Sequence, residues 1–190
     1  PVSGTSDLAS VAGVWQGVAA DSYAGTSVAG PGDVNGDGLD DVMVAAPYAN
    51  DYAGAVYLLL GPATGSASLA AAEAAVTGAA SGDYPGLVAA AGDINADGLA
   101  DVLVGAAGDD TEEEDAGAVY VLLGPFAGRS VLSETAAAQL VGDDAFEYAG
   151  YNSVEGDFDI DGDGAVDVLV GAPGSDKWRG LCYLVLGGEL

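Results

Sequence analysis

The chain has 190 residues, half of them apolar by composition, with 30 acidic residues against 3 basic ones and a formal net charge of −27. That balance excludes nucleic acid and anionic membrane surfaces as partners, because both are held by Lys and Arg, and it points to cations or a high-salt habitat. The absence of His removes the Ser-His-Asp triad and the usual zinc ligand, and no apolar run reaches the length of about 18 residues that membrane insertion as a helix requires.

The N-terminal "PVSGTSDLAS" lacks the basic-then-apolar pattern of a signal peptide. A first short strand is expected around "VWQG" (14–17). A Tyr-X-Gly element then opens "YAGTSVAG" at residue 23, a weak strand of small residues suited to close packing near an axis. Next comes "GDVNGDGLDDVMVAAP" (32–47), an Asp-rich loop running straight into an apolar strand. "YANDY" (48–52) reads as a loop and "GAVYLLLG" (54–61) as a strand, short and rich in β-branched and aromatic residues. The Ala-rich "SLAAAEAAV" (68–76) has helical propensity, which the context of a repeat is expected to override, and a further strand is placed around "VTG" (76–78).

The same order then recurs. "GDINADGLADVLVGAA" (92–107) and "FDIDGDGAVDVLVGAP" (158–173) match the first Asp-rich segment, their leading Asp residues falling at 33, 93 and 159. "AGAVYLLLGP", "AGAVYVLLGP" and "RGLCYLVLGG" follow, and "YAG", "YPG" and "YAG" precede; a further strand is expected around "LVG" (140–142). "GTSDL", "GSASL" and "GRSVL" align at Gly4, Gly65 and Gly128, which phases the repeats as 1–61, 62–124 and 125–190. Four short strands per unit, repeated, predict an all-β fold of propeller-type blades, each of four antiparallel strands. Cys182 lies in the apolar run "LCYLVLG" and is expected to be a buried, inert thiol.

The loops carry the chemistry. Gly36 and Gly38 argue against a strand and for a turn that points positions 1, 3 and 5 at one centre. Carboxylates brought together in this way repel unless a cation joins them, and oxygen-only donors select calcium. The proposed ligands are Asp33, Asn35, Asp37, the Leu39 carbonyl and Asp41 in the first loop. They are Asp93, Asn95, Asp97, the Leu99 carbonyl and Asp101 in the second, and Asp159, Asp161, Asp163, the Ala165 carbonyl and Asp167 in the third. That predicts about three Ca2+ sites, one per repeat. An EF-hand is excluded, because position 12 is Val44, Val104 or Val170 rather than Glu, and strands flank the loop.

With its "D-x-[DN]-x-D-G-x-x-D" loop and "YAG…GAP" frame, the segment resembles an FG-GAP repeat, the blade unit of the propeller at the head of integrin α subunits and of many bacterial surface proteins. The resemblance implies an extracellular or cell-surface calcium-binding module for adhesion or protein binding. The motif varies: "GAP" stands at Gly171–Pro173, but as "AAP" in the first repeat and "GAA" in the second. From the Tyr-X-Gly glycine to the first ligand there are 8, 7 and 9 residues, so a strand irregularity is expected in repeats two and three. In repeat three the register from Asp159 is preferred to one from Asp157, because it keeps Asp167 directly before the strand.

The resemblance implies about seven blades and the chain carries three. Its first strand is an outermost one without a blade and its last blade lacks a fourth strand. It therefore reads as a partial or oligomer-completed propeller: a fragment, a homodimer, or a filament joined by edge strands. Candidate binding loops are 48–52, 108–115 and 174–180, the last with Trp178 between Lys177 and Arg179. Two other functions compete: a structural filament or surface-layer subunit, and a carboxylate-based hydrolase. Carboxylates repeated in every unit argue against the hydrolase, since active sites are unique.

Overall fold

The structure, a computed structural model, describes Leu8 and residues 12–190. The Gly4 end of the aligned "GTSDL" segment lies outside the described residues. Short segments of four to eight residues form fourteen strands among the described residues: β1 (Gly13–Gln16), β2 (Val28–Gly32), β3 (Asp41–Ala46), β4 (Ala55–Leu59), β5 (Gly65–Ser68), β6 (Ala74–Thr77) and β7 (Pro85–Gly92), then β8 (Asp101–Ala106), β9 (Ala118–Leu122), β10 (Gly128–Val131), β11 (Ala138–Val141), β12 (Val154–Phe158), β13 (Asp167–Ala172) and β14 (Leu181–Val185). The fold is all-β, as expected. The Ala-rich segment makes only a 3-10 turn at Leu69–Ala71 before entering β6.

Three antiparallel sheets follow in chain order: β2-β3-β4-β6, β7-β8-β9-β11 and β12-β13-β14. The third has no fourth strand among the described residues, and β1 pairs only with β5. One feature was not expected: the strand after each Gly-Pro turn leaves its own blade. β10 pairs parallel to β6 and extends the first sheet to five strands, while β5 pairs parallel to β1.

The blades stack through their faces. Met43, Ala45, Val56 and Leu58 of the first blade pack against Val102, Val104, Tyr120 and Leu122 of the second. The opposite face of the second blade, with Leu103, Val119 and Val121, packs on Val154, Val168 and Val170 of the third. The innermost strands β2, β7 and β12 lie side by side, β7 in the middle. Small residues where the blades meet permit this approach. A Cβ on Gly105 would meet the Gly150 carbonyl oxygen at 2.3 Å, and one on Gly156 would meet the Ala90 carbonyl oxygen at 3.0 Å. Gly105→Ala should therefore cost about 2 kcal/mol by forcing the second and third blades apart, read as a lowered urea midpoint with an unchanged slope.

A register shift precedes the Asp-rich loop in all three blades, between Ala29 and Gly32, Ala90 and Gly92, and Glu155 and Phe158. The first blade shares the bulge that residue counting required only in the other two. The residue before each loop then meets the residue that ends it: Gly32 opposite Asp41, Gly92 opposite Asp101, Phe158 opposite Asp167. The third blade thus keeps the alignment that begins at Asp159.

Cys182 is exposed, not buried as expected. Its counterparts in the other blades, Val56 and Val119, are fully buried because a following blade covers them. Nothing among the described residues covers that face of the third blade.

Candidate metal loops and the opposite aromatic face

Each Asp-rich loop joins an innermost strand to the next strand, so all three lie at one end of the blades. Backbone N–H groups curl inward on the first Asp. Asp33 Oδ1 accepts from Gly36 (2.7 Å) and Asp37 (3.1 Å), and its Oδ2 accepts from Gly38 (2.7 Å). Asp93 accepts from Asp97 (3.0 Å) and Gly98 (2.9 Å), and Asp159 from Gly162 (2.6 Å) and Gly164 (3.0 Å). The turn needs left-handed backbone at its fourth residue: Gly36 has φ 82° and Gly162 φ 81°, while the second loop holds Ala96 at φ 57°. The fifth residue, Asp37, Asp97 or Asp163, accepts from the seventh, with Leu39, Leu99 or Ala165 donating at 2.9, 2.9 and 2.8 Å.

Position 9 behaves differently from the others. Asp41, Asp101 and Asp167 are buried at 1%, 0% and 0% exposure. One oxygen of each accepts from the second loop residue: Val34 at 2.9 Å, Ile94 at 2.8 Å, Ile160 at 2.7 Å. The other accepts from the glycine two residues past the third strand: Gly61, Gly124 or Gly187, each at 2.9 Å. This carboxylate therefore stitches its loop to a distant part of the same blade, a role that the sequence pattern does not reveal.

The hydrogen bonds set the charge states. The Gly38 amide, with help from Gly36, outweighs desolvation and holds the Asp33 carboxyl below the usual carboxylate range. Gly162 and Gly164 do the same for Asp159. Burial pushes Asp101 upward against the amides of Gly124 and Ile94.

The donor set suits a hard cation. Asp159, Asp161 and Asp167 each offer an oxygen, all within 4.8 Å of one another. The first two loops carry Asn at position 3, whose Nδ2 donates to the fifth-position Asp at 3.0 Å (Asn35) and 2.9 Å (Asn95), leaving its carbonyl oxygen toward the loop amides. Among the described residues the one ion pair is Arg179–Asp176 at 3.1 Å, so no basic side chain neutralises any loop. Oxygen-only, uncompensated and partly desolvated donors fit calcium rather than a nitrogen- or sulfur-seeking metal.

The opposite end of the blades carries the loops at 47–54, 107–117 and 173–180, together with the Tyr-X-Gly tyrosines. Tyr48 meets Tyr23, Tyr52 and Tyr84 edge-on, with centroids 5.1–5.8 Å apart. Trp178, 71% exposed, stacks on Tyr148 at 5.8 Å. A cleft between the two groups is lined by Tyr48, Tyr84, Asp115, Tyr148 and Tyr151.

Beneath this face lies a polar position that motif reading passed over. Ser22, Asp83 and Glu147, each directly before the Tyr of its Tyr-X-Gly element, are buried. Glu147 accepts from Ser175 Oγ (2.5 Å), the Tyr183 hydroxyl and the Asp143 amide (2.9 Å). Aligning the three Tyr-X-Gly elements shows a polar residue at this position each time, which is the signal that finds it. Burial raises the Glu147 carboxyl, but the bonds from Ser175, Tyr183 and the Asp143 and Asp144 amides outweigh it and set it below the usual range. Burial, with the Glu147 hydrogen bond and charge, pushes the Tyr183 hydroxyl up to about 12. A carboxyl depressed in the folded state stabilises fully above its unfolded pKa of about 4.3 and loses that contribution as pH falls through the lower folded value. The stability gap between the parent chain and Glu147→Gln should therefore be constant at neutral pH and shrink on acidification below about pH 4, as read by urea unfolding at stepped pH.

The blades and their loops define a class, repeat proteins of the β-propeller-blade type. Residues 33–104 match the sequence profile described as "FG-GAP-like repeat", so this segment is of that repeat family. It is 35% identical over 170 residues to integrin alpha pat-2 of Caenorhabditis elegans, covering 79% of this chain and 13% of that protein. Human integrin alpha-E is 34% identical over 169 residues (85% of this chain, 14% of the relative), and human integrin alpha-IIb is 36% identical over 166 residues (82% and 15%). The chain spans roughly a seventh of the length of these relatives. No helix of the described residues is long and apolar enough to cross a membrane.

Proposed function

We propose that the chain is a non-catalytic, calcium-held set of propeller blades that binds protein partners in an extracellular or cell-surface setting, where millimolar calcium fills weak sites. The observation that carries this reading is the repetition of one loop construction in three blades, each with its first Asp gripped by loop amides and its ninth Asp buried under the blade. The calcium ligands are those given by the loop pattern: positions 1, 3, 5 and 9 through side chains and position 7 through its carbonyl. Bound calcium supplies the positive charge that these carboxylates lack. The residues themselves hold the loop in shape and tie it to the end of the third strand.

The tyrosine-rich end is the binding face of this reading. Its exposed rings and the neighbouring acidic run 109–115 offer large, stiff contact area next to negative charge, which favours a partner with basic side chains. The similarity to integrin alpha chains supports a role in adhesion or protein binding.

Isothermal titration with calcium tests the metal reading. The parent chain should take up about three ions, and Asp33→Ala, Asp93→Ala and Asp159→Ala should each remove about one. Heat-silent titration of the folded parent, with no change in its thermal melt, would overturn the calcium assignment.

A further inference from the structure

The first two Asp-rich loops are joined to each other through the backbone. The Ala100 N–H of the second loop donates to the Asp33 carbonyl of the first at 2.9 Å. Both ends of that bond lie inside the ligand pattern. Asp33 is position 1 of its loop, and Ala100 is position 8, between Leu99 and Asp101 at positions 7 and 9. The Ala100 N–H shares one rigid peptide plane with the Leu99 carbonyl, the position-7 donor of the proposed calcium set. That peptide is trans, so its N–H and carbonyl point in opposite directions. The N–H that holds the first loop therefore leaves the Leu99 oxygen directed away from it.

Packing tightens the same seam. A Cβ on Gly36 would meet Leu99 Cδ2 at 3.1 Å, and one on Gly32 would meet the Ala100 Cβ at 3.2 Å. Gly124, whose amide holds Asp101, has no room for a side chain: its Cβ would stand 2.6 Å from the Val34 carbonyl oxygen and 2.9 Å from that of Ala100. Val34, the second residue of the first loop, is fully buried with Val102 and Leu122 of the second blade. The second and third loops meet differently. Ile94 packs on the core shared by the second and third blades, as Val34 does one blade earlier. Among the described residues, however, no amide of the third loop donates to the second. Asp157 occupies that seam: a Cβ on Gly92 would meet its Oδ1 at 2.9 Å, and its φ of 60° lies within the strand irregularity before the third loop.

We infer that calcium uptake by the first and second loops is positively cooperative, with the Leu99–Ala100 peptide as the coupling unit, and that the third loop gains nothing from its neighbour. The inference rests on the calcium reading given above. Filling the second loop fixes the Leu99 carbonyl and, through the same plane, the Ala100 N–H. The Asp33 backbone is then already held when its own loop fills, so less chain remains to be ordered. By linkage the gain is the same in either order. Two cations in neighbouring loops also repel, which opposes the gain. That repulsion acts at both seams and is screened beyond about 8 Å at 0.15 M salt. The hydrogen-bonded seam is therefore the one with a net gain, and the other seam is its control within the same molecule.

A calcium titration of the full chain by NMR at about 0.15 M salt reads each loop separately, through the Gly38, Gly98 and Gly164 amides. In the parent, Gly38 and Gly98 should shift together along a curve steeper than that of Gly164. Asp33→Ala should weaken calcium binding at the second loop about tenfold, and Asp93→Ala should weaken it at the first loop by the same factor. Neither change should alter the third loop. Ala100→Pro removes the bridging N–H and no ligand, so in its presence Asp33→Ala should no longer affect the second loop. Val166→Pro, the matching change in the third loop, should leave the coupling intact. Loops that fill independently, unequal factors in the two directions, equal weakening of the third loop, or coupling that survives Ala100→Pro would each overturn the inference while leaving three calcium sites standing. Amides that ignore calcium throughout would overturn the calcium reading and the coupling together. If Ala100→Pro does not fold, the parent curves and the two Asp variants decide.

Discussion

Asp101→Ala should lower the stability of the chain by about 3 kcal/mol, one of the largest single-residue effects expected. Asp101 is fully buried, and its two oxygens accept from the Ile94 amide at 2.8 Å and the Gly124 amide at 2.9 Å. Alanine leaves both amides without a partner, and each orphaned buried donor costs about 1–3 kcal/mol. The desolvated charge is also removed, which offsets part of that loss. Asp101→Asn keeps one acceptor and should cost about half as much. Urea unfolding measures both. A loss under about 1 kcal/mol for the alanine variant would show that the loop and the strand end hold together without this carboxylate.

Chelation should produce the largest effect of any solution change. A site filled at a hundredfold excess over its dissociation constant stabilises by about 2.7 kcal/mol, so three sites contribute about 8 kcal/mol. For a domain of this size that lowers the melting temperature by roughly 20 °C when calcium is withdrawn. The same measurement on Asp101→Ala should show a smaller drop, by about a third, because one loop no longer gathers its donors. A parent melt that is indifferent to chelator would remove calcium from the stability of the fold.

Local pattern carried much of this protein. The strands β3, β8 and β13, the turns with glycine at left-handed positions, and the loop amides that donate to the first, third and fifth loop residues depend on residues within one window.

Other features depend on chain brought from far away. Asp41, Asp101 and Asp167 look like any other acidic residue of the motif, yet the glycine just past the third strand, Gly61, Gly124 or Gly187, claims one oxygen of each and turns them into buried ties. Glu147 is ordinary in sequence and gains its network only when Ser175 and Tyr183 arrive from the next strands. The parallel crossing of β5 and β10 onto the preceding outer strands has no periodicity to announce it. Cys182 sits in an apolar run that local reading places inside, and it is exposed because burial requires a neighbour to cover the face. The sequence by itself determined which short segments become strands and where oxygen donors gather. The tertiary structure alone decided which donors are buried and which faces are left open, since burial and long-range hydrogen bonds are properties of segments that meet only after folding.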